Sequence, residues 1–310
     1  MRQLRVAGAQ LGPIGRDEPR PAVVARLVAL LEDAARAGAE LVVFPELALT
    51  TFFPRYPPRD DAELLAWFER AMPNAATRPL FERAAALGVG FCLGYAELTP
   101  EGRRFNTAIL VDRTGAIVGK YRKVHLPGHA AYDPARAFQH LEKRCFEPGD
   151  LGFPVWRTLG GVVGMMICND RRWPESWRVM GLQGVELVVL GYNTPATNAQ
   201  EPGEGPARRL FHHRLSVQAG AYQNATWAVA VAKAGVEDGQ HLIGGSLVVD
   251  PNGEIVAEAS SEADEVITAD VDFDACRFGK TTVFDFARHR RIEHYGRITA
   301  QGGAEPPGES

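Results

Sequence analysis

The chain contains little cysteine, with four in 310 residues. They stand at positions 92, 145, 168 and 276, so no two of them form a CxxC pair. Secreted domains that depend on disulfides carry more cysteine than this, and zinc sites place cysteines at short fixed spacings. The sequence therefore predicts a reduced, cytoplasmic protein in which at least one thiol is free to react.

Long apolar runs and an excess of positive charge are also absent. No run approaches the roughly 18 apolar residues that cross a membrane, and the start, MRQLRVAGAQ, lacks the apolar core of a signal peptide. The formal net charge is -4, whereas nucleic-acid-binding proteins usually carry a basic excess. We therefore expect no membrane span and no nucleic acid partner.

The usual signatures of metal and cofactor chemistry are missing as well. The chain has no HExxH motif, no GxSxG motif, no phosphate-binding loop and no GxGxxG after a strand. His125 and His129 have helical i, i+4 spacing, but Leu-Pro-Gly separates them and breaks a helix. The sequence therefore predicts no bound metal and no cofactor. A pair of Cys168 with His125 or His140 stays open at this point.

Apolar runs alternate with helix-period segments through most of the chain, which is 45% hydrophobic. That alternation is typical of an α/β layer fold, and the turn signal DPNG at 250–253 indicates a hairpin, so the sheet is not wholly parallel. The predicted strands are Leu4–Ala9, Leu41–Phe44, Val89–Leu93, Thr107–Val111, Val162–Cys168, Leu187–Leu190, Thr226–Ala232, Leu247–Val256 and Val266–Val271. The predicted helices are Pro21–Ala37, Asp61–Ala71, Arg78–Leu87, Pro174–Leu182 and Pro206–Asn224. We expect one domain over residues 1–300, a loop at Asn198–Gly205 and a disordered tail over 301–310, which is rich in Gly, Pro and Glu.

Three polar residues stand at or just past the ends of apolar strands, where ligands gather in α/β proteins. The first is Cys168, which ends the run VVGMMIC and precedes a helix that opens at Pro174. The helix N-terminus and the adjacent Arg171 and Arg172 should lower the pKa of its thiol. The competing interpretation is a small buried side chain, the usual state of a free cysteine.

Glu46 and Lys123 are the other two residues. Glu46 interrupts the apolar segment LVVFPELALT, where burial would raise its pKa and suit it to act as a general base. An exposed or structurally paired glutamate is the alternative. Strand alternation places Lys123 on the opposite face from Arg122, so one of the two can point inward and stabilise an oxyanion. A solvated basic face is the competing interpretation for this segment, KYRK.

Three segments together resemble the Glu–Lys–Cys triad of the nitrilase superfamily of carbon–nitrogen hydrolases: PE in FPELALTTFFPR, K in GKYRKVHLPG and C in ICNDRRWPE. Further segments, among them FQHLEKRCFEPGDLGFPV and CNDRRWPESWRVMGL, are similar to the branch of N-carbamoyl-D-amino acid amidohydrolases. This resemblance implies a four-layer α-β-β-α sandwich that assembles into homodimers or homotetramers. It also implies that Glu46 is the general base, Lys123 the oxyanion stabiliser and Cys168 the nucleophile. Glu142 matches a further family glutamate that helps to position the lysine and the substrate.

The same resemblance implies the residues of the substrate pocket. Arg171 and Arg172 would hold the substrate carboxylate, a role that suits the planar fork of arginine. The other implied pocket residues are Asn169, Asn193, Thr194, His125, His140 and His212. We therefore expect metal-independent hydrolysis of N-carbamoyl-D-amino acids to the D-amino acid, carbon dioxide and ammonia. The alternatives are an amidase or ureidopropionase-like hydrolase of another carboxylated amide, a metal-dependent amidohydrolase and a binding protein without catalysis.

Overall fold

The structure is a computed structural model that describes residues 2–136, 138–198, 201 and 203–308. Within this part of the chain the strands form two six-stranded sheets and a separate hairpin. In chain order the strands are β1 (Gln3–Gln10), β2 (Leu41–Val43), β3 (Gly90–Leu98), β4 (Arg104–Val111), β5 (Ile117–Arg122), β6 (Val155–Thr158), β7 (Gly161–Ile167), β8 (Leu187–Tyr192), β9 (Trp227–Ala232), β10 (Ala234–Glu237), β11 (Gln240–Ile243), β12 (Leu247–Val249), β13 (Ile255–Glu258) and β14 (Glu265–Asp272).

The helices lie between the strands and at the C-terminal end. In chain order they are α1 (Arg20–Arg36), α2 (Asp61–Leu65), α3 (Arg78–Leu87), α4 (Glu142–Cys145), α5 (Pro174–Leu182), α6 (Pro206–Asn224), α7 (Cys276–Phe278), α8 (Phe286–His289) and α9 (Gly296–Ala300). The four longest carry proline in the first turn, where its missing N–H leaves no hydrogen bond unmade. Gly38 and Gly88 follow α1 and α3 with φ angles of 83° and 67°, a left-handed conformation that ends a helix readily.

The two sheets share one plan. The first has the order β14-β1-β2-β3-β4-β5 and the second β13-β12-β9-β8-β7-β6. The central pairs β1–β2, β2–β3, β7–β8 and β8–β9 are parallel, and the outer pairs are antiparallel. Central parallel strands are covered on both faces, and every residue of β7, β8 and β9 is buried.

The sheets pack face to face, and helices cover their outer sides. One apolar cluster contains Val6 and Val43 of the first sheet together with Val189 and Val229 of the second. Helices α1 and α3 pack on the first sheet in a separate cluster. Helices α5 and α6 cover the second sheet, where Trp177 is fully enclosed. The expected four-layer α-β-β-α sandwich is therefore confirmed.

One predicted helix is shorter than the sequence indicated. The predicted helix Asp61–Ala71 ends at Leu65. Beyond it, Trp67 and Phe68 turn inward, with ring centroids 5.7 and 5.6 Å from that of Phe53. The apolar spacing in this segment therefore reflects burial against an aromatic cluster rather than a continuing helix.

Other predicted elements match closely or shift slightly. Helices α5 and α6 have the predicted bounds. The predicted strand Leu247–Val256 divides into β12 and β13 around the predicted turn, in which Asp250 N bonds Glu254 O. The predicted strand Val162–Cys168 ends one residue early, because Cys168 has left the extended conformation.

Two predicted irregular segments are only partly covered by the structure. Residues 199, 200 and 202 of the predicted loop and residues 309 and 310 of the predicted tail lie outside the described residues. The described residues of both segments contain no helix or strand. Among the described residues, no helix has the length and apolar character that a membrane span requires.

Candidate active site

The three strand-end residues meet at one edge of the sandwich. Lys123 and Cys168 directly follow β5 and β7, and Glu46 lies three residues past β2. Lys123 Nζ donates a hydrogen bond to Glu46 Oε1 at 2.7 Å, and both side chains are fully buried. Of the two neighbouring cations, Lys123 is therefore the one that points inward, whereas Arg122 forms an ion pair with Glu97.

A second glutamate completes the buried ion cluster. Glu142 begins α4, and its Oε2 accepts another hydrogen bond from Lys123 Nζ at 2.6 Å. Its Oε1 lies 2.9 Å from His140 Nε2, and the His140 ring packs edge-on against Phe52. Two buried carboxylates thus share a single ammonium group.

Two asparagines hold the Glu46 carboxylate in place. Asn106 Nδ2, on β4, donates to Glu46 Oε1 at 2.7 Å, and the main-chain N of Asn193 donates to Oε2 at 3.0 Å. The Asn193 side chain also donates to the main-chain oxygen of Glu46 at 2.8 Å. Asn193 is among the residues predicted from the sequence, and Asn106 is not. The sequence feature that indicates Asn106 is an amide side chain inside the apolar strand RFNTAILV.

The surroundings move the pKa values of the two glutamates in opposite directions. Burial raises the pKa of Glu46, as the sequence predicted, and Glu142 adds to this effect against the opposing charge of Lys123. Burial also acts to raise the pKa of Glu142, but Lys123 and His140 outweigh it and hold that pKa below its ordinary value. Burial opposes the charge of Lys123, yet the surrounding anionic groups raise its pKa. Glu46 is therefore the carboxylate that takes up a proton more readily.

Cys168 stands at a sharp turn out of β7. It begins a single 3₁₀ turn, Cys168–Arg172, with a left-handed φ of 48°. A residue with a side chain adopts this conformation at a cost of about 1–3 kcal/mol. Its Sγ lies 3.6 Å from the main-chain oxygen of Asn193, and the residue is 6% exposed. The turn thus leaves the thiol beside the residue that also binds Glu46.

The expectation of a lowered thiol pKa is wrong. Burial and the Glu46 carboxylate raise the pKa of Cys168, and the opposing charges of Lys123 and Arg171 do not outweigh them. The adjacent arginines favour the thiolate, but their effect is smaller than that of the loss of water around the sulfur. A raised pKa favours the protonated thiol, so its reaction calls for a base that removes the proton.

Arg171 is turned inward behind the thiol. Its Nη1 donates to the main-chain oxygen of Cys168 at 2.6 Å, and its Nη2 donates to Thr194 Oγ1 at 3.1 Å. The guanidinium also lies over the Tyr192 ring, and the residue is 1% exposed. Two of its N–H groups thus brace the strained turn at Cys168 and bind Thr194, whereas its buried Nε has no hydrogen-bond partner among the described residues. The role of Arg171 and Thr194 in binding substrate stays a prediction.

Asp170 fixes the same turn from within. Its carboxylate accepts hydrogen bonds from the Tyr121 hydroxyl at 2.6 Å and from the main-chain N of His125 at 2.9 Å. The Asn169 side chain donates to the main-chain oxygen of His125 at 3.2 Å. Asp170 is fully buried, and it is not among the site residues predicted from the sequence. Asn169 and His125 therefore join the turn after β7 to the segment after β5.

The histidines bear on the alternative of a Cys–His pair. His125 Nδ1 lies 2.8 Å from Asp170 Oδ1, and His140 Nε2 lies 2.9 Å from Glu142 Oε1. The ionisable group that each histidine ring contacts is thus a carboxylate and not the Cys168 thiol. In the described part of the chain, no three His, Cys, Asp or Glu side chains are grouped so that they could hold a metal ion.

A cavity of about 300 Å³ lies beside the turn and contains Arg172 and His212 in its lining. On its wall, Glu204 forms an ion pair with Arg209 at 2.9 Å and lies 2.8 Å from His212 Nδ1. Arg172, in contrast, makes no hydrogen bond or ion pair with any residue that the structure describes. Of the two arginines singled out in the sequence, Arg172 is the one whose guanidinium is available to a ligand.

Comparison with known proteins agrees with this geometry. A family model described as carbon-nitrogen hydrolase matches residues 5–280. The chain belongs to the carbon–nitrogen hydrolase family. This hydrolase is 32% identical to a nitrilase of Pyrococcus abyssi over 86% of its own length and 90% of the relative's. It is 30% identical to the N-carbamoylputrescine amidase of Arabidopsis thaliana over 90% and 91% of the two chains. Its fold matches a carbon–nitrogen hydrolase structure from Helicobacter pylori G27 with a TM-score of 0.80, 24% identity and coverage of 97% and 99%.

Proposed function

We propose that this carbon–nitrogen hydrolase converts N-carbamoyl-D-amino acids to the D-amino acid, carbon dioxide and ammonia. The observation that carries the proposal is the guanidinium of Arg172, which lines the cavity and has no hydrogen bond or ion pair to a described residue. Arg172 stands four residues past Cys168, whose thiol lies near a carboxylate and an ammonium group. An arginine fork binds a carboxylate through two parallel hydrogen bonds. A substrate with a carboxylate at one end and a ureido carbon at the other can therefore bridge Arg172 and Cys168. The D configuration rests on the sequence resemblance alone.

In the first half of the reaction, Glu46 accepts the proton of the Cys168 thiol. Its raised pKa suits it to this task. The sulfur then bonds to the ureido carbon, whose oxygen becomes an oxyanion that the Lys123 ammonium stabilises. Collapse breaks a carbon–nitrogen bond, and the leaving nitrogen takes the proton that Glu46 holds. A thioester-type intermediate remains on Cys168.

Water completes the reaction by breaking the carbon–sulfur bond. Glu46, ionised again, removes a proton from a water molecule whose oxygen attacks the intermediate. Cys168 leaves as the thiolate and recovers its proton from Glu46. Whichever nitrogen departs first, the carbamic acid that forms loses carbon dioxide, so that the amino acid and ammonia are both released.

Ammonia release from N-carbamoyl-D-phenylalanine and its L enantiomer tests the proposal, with Cys168→Ala as the blank. We expect release from the D form only, and we expect it to survive a strong chelator because no proposed step uses a metal. If the folded protein releases ammonia from neither compound, the proposed substrate is wrong. If only the L form reacts, the proposed configuration is wrong.

A second candidate is the hydrolysis of an N-carbamoylated amine, the activity named for the Arabidopsis relative. Glu201 lines the same cavity as Arg172, and an anionic side chain there would attract a cationic substrate group. N-carbamoylputrescine and β-ureidopropionate therefore belong in the assay. Turnover of N-carbamoylputrescine without turnover of either carbamoyl amino acid would favour this candidate, and turnover of β-ureidopropionate alone would favour another carboxylated amide.

We also propose that the protein forms homodimers or homotetramers, as the resemblance implies. The outer helices α5 and α6 expose large apolar side chains, namely Val179, Leu182, Phe211, Leu215 and Tyr222. A second copy of the chain would remove this surface from water. Light scattering should find an oligomer that Leu182→Glu weakens, and a wild-type monomer at micromolar concentration would contradict the proposal.

The state of the cysteines supports the proposed cytoplasmic location. All four are buried, and none forms a disulfide. Free thiols persist in a reducing compartment. Cell fractionation tests this proposal, and recovery of the protein outside the cytoplasm would contradict it.

A further inference from the structure

The main chain around Glu46 passes between two glycines, one from each sheet. Gly94 belongs to β3 of the first sheet and Gly191 to β8 of the second. Neither has a positive φ angle, so an L-residue could adopt either backbone conformation. The absence of a side chain at these positions therefore serves space rather than backbone freedom.

The space on the second-sheet side is smaller than a methyl group. A Cβ placed on Gly191 would lie 2.3 Å from the main-chain N of Glu46 and 2.4 Å from the carbonyl carbon of Pro45. Real Cβ atoms do not approach other atoms this closely, and main-chain atoms cannot rotate away as a side chain can. Any side chain at Gly191 must therefore displace the Pro45–Glu46 main chain.

The first-sheet side is almost as close. A Cβ on Gly94 would lie 2.7 Å from the main-chain oxygen of Pro45 and 2.8 Å from Glu46 Cα. The main-chain oxygen of Gly94 also accepts a hydrogen bond from Ala48 N at 2.9 Å. The two sheets therefore fix the position of this segment from both sides.

The same strand end holds both reacting groups. Two residues past Gly191, Asn193 bonds the Glu46 carboxylate through its main-chain N and the Glu46 main chain through its side chain. The main-chain oxygen of Asn193 lies 3.6 Å from Cys168 Sγ. The strand end that contains Gly191 therefore contacts both the Glu46 carboxylate and the Cys168 thiol.

We propose that Gly94 and Gly191 are positioning residues, and that the gap between them places the Glu46 carboxylate where it can take the proton of Cys168. The inference rests on the proposed role of Glu46 as the base. A methyl group at Gly191 would push Glu46 from Asn193 and therefore from the thiol. Displacements of about 1 Å in an active site can lower the rate about 100-fold.

Alkylation of Cys168 by iodoacetamide, resolved by peptide mass spectrometry, is the direct readout because it needs no substrate. We expect Gly191→Ala to lower the alkylation rate of Cys168 about 100-fold near neutral pH, with Gly94→Ala in the same direction. In a Glu46→Gln background the same glycine substitutions should cause no further loss, because they act through the carboxylate. A failed ammonia assay would leave these expectations unchanged, so the substrate proposal and this inference can fail separately.

Gly161→Ala is the matched control. A Cβ there would lie 2.5 Å from the ring of Phe273, which is fully buried, at the end of β7 remote from Cys168. It should lower the melting temperature without slowing the alkylation of Cys168. Wild-type alkylation rates in Gly191→Ala and Gly94→Ala would overturn the inference, and so would an equal loss in the Glu46→Gln background. Failure of both to fold, when Gly161→Ala folds, would assign the glycines to the fold alone and overturn it as well.

Discussion

Two buried charge clusters lie at this end of the sandwich, and they differ in which sign of charge is in excess. The site cluster consists of Glu46, Lys123 and Glu142, with two carboxylates around one ammonium group. The linking cluster consists of Arg55, Lys233 and Glu237, with one carboxylate between two cations. In the linking cluster, Glu237 lies 2.7 Å from Arg55 Nη2 and 2.9 Å from Lys233 Nζ.

The linking cluster directs its hydrogen bonds to the main chain. The Glu237 carboxylate accepts from the main-chain N of Ile14 at 3.1 Å and of Phe52 at 2.8 Å. Lys233 Nζ donates to the main-chain oxygen of Thr50 at 2.8 Å. The cluster therefore fixes the loop that continues from Glu46, and its Lys233 and Glu237 side chains are fully buried.

The pKa values express this difference. Burial raises the pKa of Glu46. Burial acts the same way on Glu237, but Lys233 and Arg55 outweigh it and lower that pKa. A buried carboxylate that shares one cation can accept a proton from a thiol, whereas a carboxylate between two cations stays ionised. The same residue types thus support chemistry in one cluster and a fixed connection in the other.

The largest expected effect belongs to the thiol beside the site cluster. Cys168→Ala should lower turnover about 10⁴-fold or more, because it removes the proposed nucleophile. Steady-state ammonia release measures this. Cys276→Ala, which removes a buried thiol elsewhere, should keep its turnover. Normal turnover by a folded Cys168→Ala protein would contradict the mechanism.

Replacing glutamate with glutamine should mainly lower activity in the site cluster and mainly lower stability in the linking cluster. Glu46→Gln should lower kcat about 10²- to 10⁴-fold through loss of the base, with little change in unfolding free energy because Glu142 still pairs with Lys123. Glu237→Gln should cost about 3–5 kcal/mol of stability, because it leaves two buried cations without their partner. Urea unfolding and steady-state kinetics on both variants measure the two effects. Equal effects of the two variants on stability would remove the distinction between the clusters.

As the pH falls, the enzyme should lose activity at a higher pH than the one at which it loses stability. Because the pKa of Glu46 is raised, the base is lost by protonation at a pH above the ordinary carboxyl pKa of about 4.5. This protonation does not weaken the fold. Glu237 has a lowered pKa, so the stability that it contributes is lost only as the pH falls through that lower value. The pH dependence of kcat/KM and of urea unfolding should therefore show separate acid transitions. Coincident transitions would contradict the assignment.

A smaller effect is expected at Arg172. Arg172→Ala should raise KM for a carboxylated substrate about 10- to 100-fold through loss of a charge-assisted hydrogen bond, with a smaller change in kcat. The exposed Arg208 is outside the cavity lining, so Arg208→Ala should leave KM unchanged. An equal rise in KM in both variants would indicate a general charge effect rather than a binding site.

Much of the candidate site could be predicted from the polar residues that end or interrupt apolar runs in the sequence. Glu46, Lys123 and Cys168 each stand where an apolar run ends or breaks, and parallel strands bring such ends together. The helices α5 and α6 were predictable in extent because each begins at a proline and keeps helical spacing.

Features that depend on side-chain direction and solvent exclusion were not predictable. Arg171 and Arg172 are adjacent and identical in type, yet the first is buried against Cys168 and the second lines the cavity without a hydrogen bond or ion pair to a described residue. The raised pKa of the thiol depends on burial by residues distant in sequence. Lys233 and Glu237, in AKAGVEDG, have the spacing of ordinary surface charges, and only the packed loops make them a buried pair.

The most direct test is the pH dependence of Cys168 alkylation in the wild type, Glu46→Gln and Glu237→Gln. In the wild type the rate should rise with the ionisation of Glu46, and Cys168 should react faster than Cys92, Cys145 and Cys276. Glu237→Gln should retain this profile as long as it remains folded, whereas Glu46→Gln should react slowly until alkaline pH ionises the thiol. A wild-type profile in Glu46→Gln would show that the thiol does not depend on the site cluster, and would contradict the account.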